Sequence, residues 1–279
     1  MRNIGGKRLR MLGKAQIKYI RSLQNKKIRH THFVYVIEGE KIVAEYIHSD
    51  YPLNNIYAAE DWLDENAALL KKKNIPAAKV SQRELEQISS LATPNKVLAL
   101  AKMQPTPAPA EMKSILSKGF HLALDNIQDP GNLGTIIRTA DWFGAATVFC
   151  SNDCVDAYNP KVAQAAMGSL ARVKIIYTDL PVILTNSPLP VYAATLNGEN
   201  LFSEKLPGSA IVLIGNESSG LSEKLIQFAA KTISIPRFGK AESLNAAVAA
   251  AVIMAAFRNG QATSSTSNPT FFRSSQKRG

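Results

Sequence analysis

The 279-residue sequence is poor in cysteine and histidine, with two and four of them, respectively. It also lacks any uninterrupted apolar run that approaches the ~20 residues that a membrane-spanning helix needs. The first 30 residues also lack the apolar centre of a signal peptide, so we expect a cytoplasmic protein with no membrane contact. Cys150 and Cys154 are spaced i, i+4 and could bind a metal only with further ligands. Because the histidines lie far from them in sequence, we predict two buried free thiols and no metal site.

Acidic residues are absent from residues 1–37, which contain ten Lys or Arg. Up to Pro105 there are 18 basic and 10 acidic residues, whereas the rest of the chain has 15 and 12. A basic surface concentrated in one half favours a polyanionic partner, most simply nucleic acid. The alternative is a solvated positive face that keeps the protein in solution, which fits a single lysine better than ten basic residues with no acid between them.

Hydrophobic periodicity divides the chain into two α/β parts. Residues 9–28 fit one or two short amphipathic helices with basic outer faces, and Ser81 and Glu84 have the spacing of a capping box at a later helix. We predict a small α/β domain over residues 1–105, a semi-rigid proline-rich linker over 106–112, a larger α/β domain over 113–260 and a disordered polar tail over 261–279.

The larger part carries six apolar segments separated by helical stretches: FHLAL, ATVFC, VKIIY, LPVYAATL, AIVLIG and KTISIP. Continuous apolar strands that alternate with helices predict a parallel sheet covered on both faces. Ligands of such sheets bind at the carboxyl ends of the strands. The loops that follow the strands are therefore where we expect a functional site.

The first of three glycine-containing loops is DNIQDPGNLGTIIR. Gly131 and Gly134 predict a tight turn, and Arg138 is expected near the first turn of the helix that follows. A cation at that end does not stabilise the helix dipole, so the arginine fits an anionic ligand such as a phosphate. A surface salt bridge to Asp129 or Asp141 explains it about equally well.

The second loop, IVLIGNESSGLSEKL, places Glu217 after a buried strand, and the third, ISIPRFGKAESLNAAVAAA, begins an alanine-rich helix at Ser243 or Asn245. Taken singly, an ordinary strand-to-helix turn and an ordinary helix cap would explain these loops. Neither G-x-G-x-x-G nor G-x-x-x-x-G-K-[ST] occurs in the three loops, which disfavours a dinucleotide or P-loop site.

Taken together and in order, NIQDPGNLGTIIRTADWFG, IVLIGNESSGL and IPRFGKAESLNAAVAAA resemble the three signature motifs of the SpoU/TrmH family of RNA ribose 2′-O-methyltransferases, in the SPOUT superfamily. The resemblance covers about residues 115–258, and the basic first hundred residues look like an L30e-like RNA-binding domain. The resemblance implies a parallel α/β sheet that ends in a trefoil knot. It also implies S-adenosylmethionine as methyl donor and a homodimer with its site near the subunit interface. The implied partner is RNA, with ribosomal RNA favoured over transfer RNA.

Matching of the motifs assigns Arg138 as the essential arginine, with Asn132 and Glu217 orienting it or the ribose. It also assigns a set of cofactor-binding residues: Thr195, Leu196, Gly198, Gly215, Asn216, Ile235, Ser243, Leu244 and Asn245.

The sequence therefore predicts an S-adenosylmethionine-dependent enzyme that methylates a ribose 2′-hydroxyl in large-subunit (23S) ribosomal RNA. The alternatives are a tRNA 2′-O-methyltransferase, a catalytically silent RNA-binding or ribosome-assembly protein, and a nucleotide-binding α/β enzyme that acts on small molecules. The basic first part is expected to select the RNA, so that removal of residues 1–105 would leave cofactor binding intact.

Overall fold

The computed structural model describes residues 12–259. Its first part contains helices α1 (Lys14–Ser22), α2 (Lys26–His32), α3 (Glu40–His48), α4 (Glu60–Lys72) and α5 (Gln82–Ile88), and strands β1 (Val34–Glu38), β2 (Leu53–Ala58), β3 (Ala77–Lys79) and β4 (Val97–Lys102). The strands form one sheet in the order β1-β4-β2-β3, in which only β2 and β3 run parallel. Ser81 and Glu84 form the predicted capping box at α5.

The second part contains helices α6 (Pro109–Leu116), α7 (Pro130–Trp142), α8 (Pro160–Ala166), α9 (Leu180–Asn186), α10 (Glu223–Ile226) and α11 (Ala246–Asn259). Its strands are β5 (Phe120–Leu124), β6 (Thr147–Cys150), β7 (Lys174–Tyr177), β8 (Val191–Asn200), β9 (Ala210–Ile214) and β10 (Lys231–Ser234). They pair in parallel, in the order β10-β8-β9-β5-β6-β7, and coincide with the six apolar segments. The prediction of a parallel α/β sheet is confirmed.

Both faces of this sheet are covered by helices. Side chains alternate along β5: Leu122 and Leu124 pack in a core with α7, α8 and α11, whereas Ala123 packs in a second core with α6, α9 and α10. All five residues of β5 are buried, which explains why the strand reads as a continuous apolar run.

The predicted linker, residues 106–112, is partly helical, because α6 begins at Pro109. Proline suits the first position of a helix, since its φ is already helical and the amide that it lacks has no partner there. The predicted linker is therefore helical from Pro109 onward, whereas Pro105 and Pro107 precede the helix. The predicted tail, residues 261–279, lies outside the described residues.

One hydrophobic core extends through both parts of the chain. A contiguous cluster of buried side chains contains residues of the first sheet and of the second. The rings of Tyr35 and Tyr158 lie 4.7 Å apart across the junction. The Gln104 amide donates to the Tyr158 hydroxyl at 3.0 Å, and the Gln104 side chain donates to the carbonyls of Leu170 and Val173. The two parts therefore pack as one body.

A buried ion pair crosses the same junction. Arg29 on α2 and Asp156, which follows β6, are 2% and 5% exposed. Two guanidinium nitrogens of Arg29 donate to Asp156 Oδ2, and the third donates to the carbonyls of Leu23 and Gln24 at 2.9 and 2.8 Å. One of the basic residues of the N-terminal segment is thus a structural residue rather than part of a positive surface.

Candidate active site

The predicted motifs follow four neighbouring strands and meet at one edge of the second sheet. In the strand order, β10, β8, β9 and β5 are adjacent, and each pair runs parallel. Their carboxyl ends therefore lie side by side, where open α/β sheets bind ligands. The first motif follows β5, the second follows β9, and the third follows β10.

A hydrogen-bond network joins the three motifs through Asn132, Glu217 and Asn245. Glu217 Oε1 accepts hydrogen bonds from Asn132 Nδ2 and Asn245 Nδ2, both at 2.7 Å, and from the Ala246 amide at 2.9 Å. Asn245 Nδ2 also donates to Asn132 Oδ1 at 2.9 Å. Three of the predicted site residues, two of them 113 positions apart, are thus in direct contact.

Two helix N-termini fix this network. Asp129 caps α7 by accepting the Asn132 amide at 2.7 Å, which places Asn132 in the first turn. Asn245 caps α11 by accepting the Ala247 amide at 3.0 Å. Because Glu217 accepts the first amide of α11, its carboxylate lies at the positive end of that helix dipole.

Gly215 and Asn216 shape the tight turn that presents Glu217. A Cβ on Gly215 would lie 2.3 Å from the carbonyl carbon of Gly220, so only glycine permits this approach of the two backbones. Asn216 Nδ2 donates to the Asn126 carbonyl at 2.9 Å and links the second motif to the end of β5. In the described structure, the Asn216 side chain shapes the loop.

Three predicted cofactor-binding residues lie in an interruption of β8: Thr195, Leu196 and Gly198. The ladder between β8 and β10 skips residues 194–198, which also lie beyond the pairing with β9. A Cβ on the glycine would lie 2.5 Å from the backbone of Ile233, and the carbonyl of that glycine accepts a hydrogen bond from Ser234 Oγ at 2.8 Å. The segment therefore presents main-chain groups outside the ladder, close to the end of β10.

The remaining predicted cofactor-binding residues lie between β10 and the cap of α11: Ile235, Ser243 and Leu244. Ile235 is half-buried against the core, whereas Leu244 is 46% and Leu196 76% exposed. Exposed aliphatic side chains beside a main-chain segment outside the regular ladder suit a ligand with a flat apolar ring and polar edges. By this test, the residues present fit S-adenosylmethionine.

Arg138 lies on α7 but does not join the network. The helix begins at Pro130, so Arg138 is its ninth residue, and the expected place in the first turn was wrong. Arg138 is exposed and forms no hydrogen bond or ion pair within residues 12–259. The salt-bridge alternative is not formed either, because Asp129 caps the helix and Asp141 pairs with Arg172 at 2.7 Å.

The glycines of the first motif are helical and do not form the predicted turn. Asp129 and Pro130 start α7 four residues before Gly134, since aspartate favours the cap position and proline the first helical position. Gly134 is buried where α7 meets α8, and a Cβ on it would lie 2.5 Å from Ala165 Cβ. Gly134 therefore serves helix packing.

Sequence reasoning missed three contributors to the site: Asp129, Asn126 and the Ala246 amide. Asp-Pro-Gly was a usable signal for the cap, because aspartate followed by proline is typical of a helix start. Asn126 has a left-handed backbone (φ 56°), and its carbonyl accepts from Asn216. No side-chain pattern marks a backbone amide such as that of Ala246.

Cys150 and Cys154, below the first motif, are buried free thiols, as predicted. Cys154 Sγ accepts the Ile127 amide at 3.3 Å. A hydrogen bond with the Cys150 thiol lowers the pKa of Cys154 to about 7, whereas the same hydrogen bond and burial raise the pKa of Cys150.

Among residues 12–259, no three His, Cys, Asp or Glu side chains are grouped to hold a metal ion, and no helix has the length and apolarity to cross a membrane.

Known proteins resemble both parts of the chain. Residues 119–255 match the SpoU rRNA Methylase family, and residues 14–99 match the MRM3-like substrate binding domain. The 23S rRNA (guanosine(2553)-2′-O)-methyltransferase RlmP of Bacillus subtilis is 30% identical over 243 residues, which cover 86% of this chain and 94% of that protein.

Solved structures extend the similarity to the whole fold. A TrmH-family protein from Porphyromonas gingivalis is 32% identical with a TM-score of 0.78, and the match covers 90% of this chain and 100% of the other. The AdoMet-bound rRNA methyltransferase from Sinorhizobium meliloti is 25% identical with a TM-score of 0.80, over 90% and 98% of the two chains. The chain therefore belongs to the SpoU rRNA methylase family, as its three motifs predict.

Proposed function

We propose that this protein transfers a methyl group from S-adenosylmethionine to a ribose 2′-hydroxyl of large-subunit ribosomal RNA. The observation that carries the proposal is the direct contact of Asn132, Glu217 and Asn245 at the carboxyl edge of the sheet, since it brings three distant motifs to one place. The substrate follows from the 23S rRNA methyltransferase of Bacillus subtilis, which the chain matches over most of its length.

Bound S-adenosylmethionine would supply a methyl group on an electrophilic sulfonium. The residues that would hold it lie within β8 and in the segments after β9 and β10: Thr195, Leu196, Gly198, Gly215, Asn216, Ile235, Ser243, Leu244 and Asn245. These loops would align the donor with the hydroxyl oxygen and exclude water, and such positioning supplies ~7–11 kcal/mol in comparable reactions. The methyl carbon would pass to the hydroxyl oxygen as its bond to sulfur breaks, and the hydroxyl proton would pass to an RNA phosphate oxygen or to water.

Arg138 would bind the RNA rather than act as a base. A guanidinium remains protonated in proteins and therefore does not accept a proton at neutral pH. Its exposure and its freedom from partners within residues 12–259 leave all its donors available for a phosphate beside the target ribose. From there it would also stabilise the negative charge that develops on the attacking oxygen.

Glu217 and Asn132 would organise the site. Glu217 Oε1 already accepts three hydrogen bonds, and neither residue forms a hydrogen bond or ion pair with Arg138 in the described structure, so these contacts do not support the expectation that they orient the arginine. Their contacts instead support a role in holding the first and third motifs at a fixed distance.

We also propose that the protein is a cytoplasmic homodimer. Its domains would span residues 1–105 and 113–260, joined by a linker at 106–112. Exposed apolar side chains near the third motif support a subunit interface there: Phe238 is 99%, Val248 49% and Leu244 46% exposed. Light scattering after gel filtration should give twice the mass of one chain, and a monomeric mass would contradict the dimer.

The test of the proposed function is transfer of tritiated methyl from S-adenosylmethionine to purified large-subunit rRNA, with tRNA as the parallel substrate. Mass spectrometry of the digested RNA should find one new 2′-O-methylated nucleoside in the rRNA. Label in tRNA alone would favour the transfer-RNA alternative. Binding of the donor by calorimetry without transfer to either RNA would indicate a silent RNA-binding protein, and no binding of the donor would reject the proposal.

A further inference from the structure

We infer that the outer face of α1 and α2 is the surface that docks the phosphodiester backbone of the RNA substrate, and that Arg29 holds this face beside the active site. The inference rests on the proposed function and specifies where the RNA binds. We define the α1–α2 surface by five basic residues and one aromatic residue: Lys14, Lys18, Arg21, Lys26, Lys27 and Phe33.

The five cations of the α1–α2 surface are exposed and unpaired. Lys14, Lys18 and Arg21 have i, i+4, i+7 spacing, which aligns them on one face of α1, and they line a cavity of about 310 Å³. No ion pair with residues 12–259 neutralises any of the five, and no Asp or Glu occurs on α1 or α2. A row of cations without acidic partners is typical of a surface that binds the phosphates of a nucleic acid.

Three lysines elsewhere in the first part are neutralised by acidic partners, and the exposed unpaired lysines of α3 and α4 share their helices with Asp or Glu. Lys73 pairs with Asp50 and Lys96 with Asp61, both at 2.6 Å. Lys79 pairs with Glu60 in the same way. The α1–α2 surface therefore differs from the rest of the first part in that its cations have no acidic residue among them.

An aromatic side chain stands at the end of this surface. Phe33 is 64% exposed at the C-cap of α2, and it has a left-handed backbone (φ 53°) that costs energy in a residue other than glycine. Its amide donates to the Arg29 carbonyl, and its own carbonyl accepts the Met103 amide at 2.9 Å. An exposed aromatic ring on a fixed backbone is suited to stacking an unpaired base.

The α1–α2 surface is joined by hydrogen bonds to the edge that carries the active site. Arg29 binds the carbonyls of the α1–α2 corner on one side and Asp156 on the other. In the same loop as Asp156, the Val155 amide donates to the Ile127 carbonyl at 2.9 Å. Ile127 lies two residues before the Asp129 cap of α7. RNA bound to the surface is thereby held in a fixed relation to the network around Asn132.

The test compares two triple variants that remove the same charge from the first part. K14Q/K18Q/R21Q changes the α1–α2 surface, and K41Q/K71Q/K72Q removes three exposed lysines from α3 and α4. Filter binding of large-subunit rRNA is measured over a range of salt concentrations. We expect the first variant to bind RNA on the order of ten- to a hundredfold more weakly, with a salt slope that is smaller by about 2–3. The control variant should stay within about threefold of wild type.

Kinetics separate docking from catalysis. The first variant should show a raised KM for RNA with kcat and S-adenosylmethionine affinity unchanged, because the residues of the site remain in place. F33A should weaken RNA binding while keeping the wild-type salt slope, because stacking neutralises no phosphate. Equal losses in the two triple variants, or wild-type RNA binding in the first, would overturn the inference even if the wild-type enzyme methylates rRNA.

The same variants distinguish RNA from an anionic membrane. If the first variant loses binding to phosphatidylserine vesicles while its RNA affinity stays at the wild-type value, the surface serves lipid and the inference is wrong. A wild-type protein that binds rRNA through the surface but transfers no methyl group would instead remove the proposed function and leave the docking surface intact.

Discussion

At the scale of single residues, two arginines show how environment decides role. Arg29 is 2% exposed, and its guanidinium is fully engaged by Asp156 and two carbonyls. Arg138 is exposed and has no partner within residues 12–259. The first is a structural residue of the junction between the two parts, and the second is available to a ligand. The charge pattern of the sequence does not separate them, because Asp156 is 127 positions away from Arg29.

Replacement of Arg138 with alanine should strongly slow methyl transfer without unfolding the protein. Loss of one group that stabilises a developing oxyanion typically lowers the rate by ~10²–10³. Single-turnover transfer to rRNA measures the rate, and calorimetry should show unchanged affinity for S-adenosylmethionine. The control is Lys113→Ala on α6, an exposed cation on the opposite face of the sheet. A turnover near that of wild type would remove Arg138 from the mechanism.

Replacement of Arg29 with methionine should destabilise the whole protein. The Asp156 carboxylate would stay buried without its guanidinium, and breaking such a pair from one side costs about 3–5 kcal/mol. Urea unfolding followed by circular dichroism measures the loss. Arg21→Met, an exposed arginine on α1, serves as the control and should change the free energy of unfolding by less than about 0.5 kcal/mol. Similar midpoints for the two variants would show that the pair contributes little.

At the scale of helices and strands, the sequence predicts those elements whose position is determined by the pattern of apolar residues. The six strands of the second sheet could be predicted, because each coincides with an apolar segment of the sequence. The start of α7 was missed because Gly131 and Gly134 are compatible with both a turn and a closely packed helix, although Asp129 and Pro130 mark a helix start. The interruption at residues 194–198 could not be predicted, since it depends on pairing with β10, more than thirty residues later.

Gly134→Ala should weaken the contact between α7 and α8. The added methyl group would lie 2.5 Å from Ala165 Cβ and 2.7 Å from the Val162 carbonyl oxygen, so the helices must separate. Overpacking of this kind costs about 1–3 kcal/mol, which denaturant unfolding can measure. Thr135→Ala, one residue later on the exposed face, should stay within about 0.5 kcal/mol of wild type. If the Gly134 variant were equally stable, the two helices would have room that the structure does not show.

At the scale of the whole molecule, the change in composition near residue 105 suggests two separable units, whereas the structure shows one core. Buried side chains of both parts form a contiguous cluster, and Gln104 binds the carbonyls of Leu170 and Val173. A sequence can show where a linker lies, but it does not show how the parts on either side of the linker pack against each other. The residues Asn132, Glu217 and Asn245 could be predicted as site residues, because the three motifs that contain them occur in a characteristic order along the chain.

Removal of residues 1–105 should therefore impair the remaining part, contrary to the expectation from the sequence. The fragment would expose the face of the core around Tyr158 and leave Asp156 without Arg29. We expect aggregation in gel filtration and weakened binding of S-adenosylmethionine, whereas the full chain should melt in one calorimetric transition. A monodisperse fragment with native donor affinity would contradict this prediction.

The Arg29–Asp156 pair constrains how new RNA targets could arise or be engineered in this protein. A foreign RNA-binding module joined at Pro105 would leave a buried carboxylate on the methyltransferase side without its counter-charge. Such a chimera would need either a basic residue at the equivalent place or an uncharged replacement for Asp156. If the first part selects the RNA, as proposed, a change of target would therefore require a matching change at the junction.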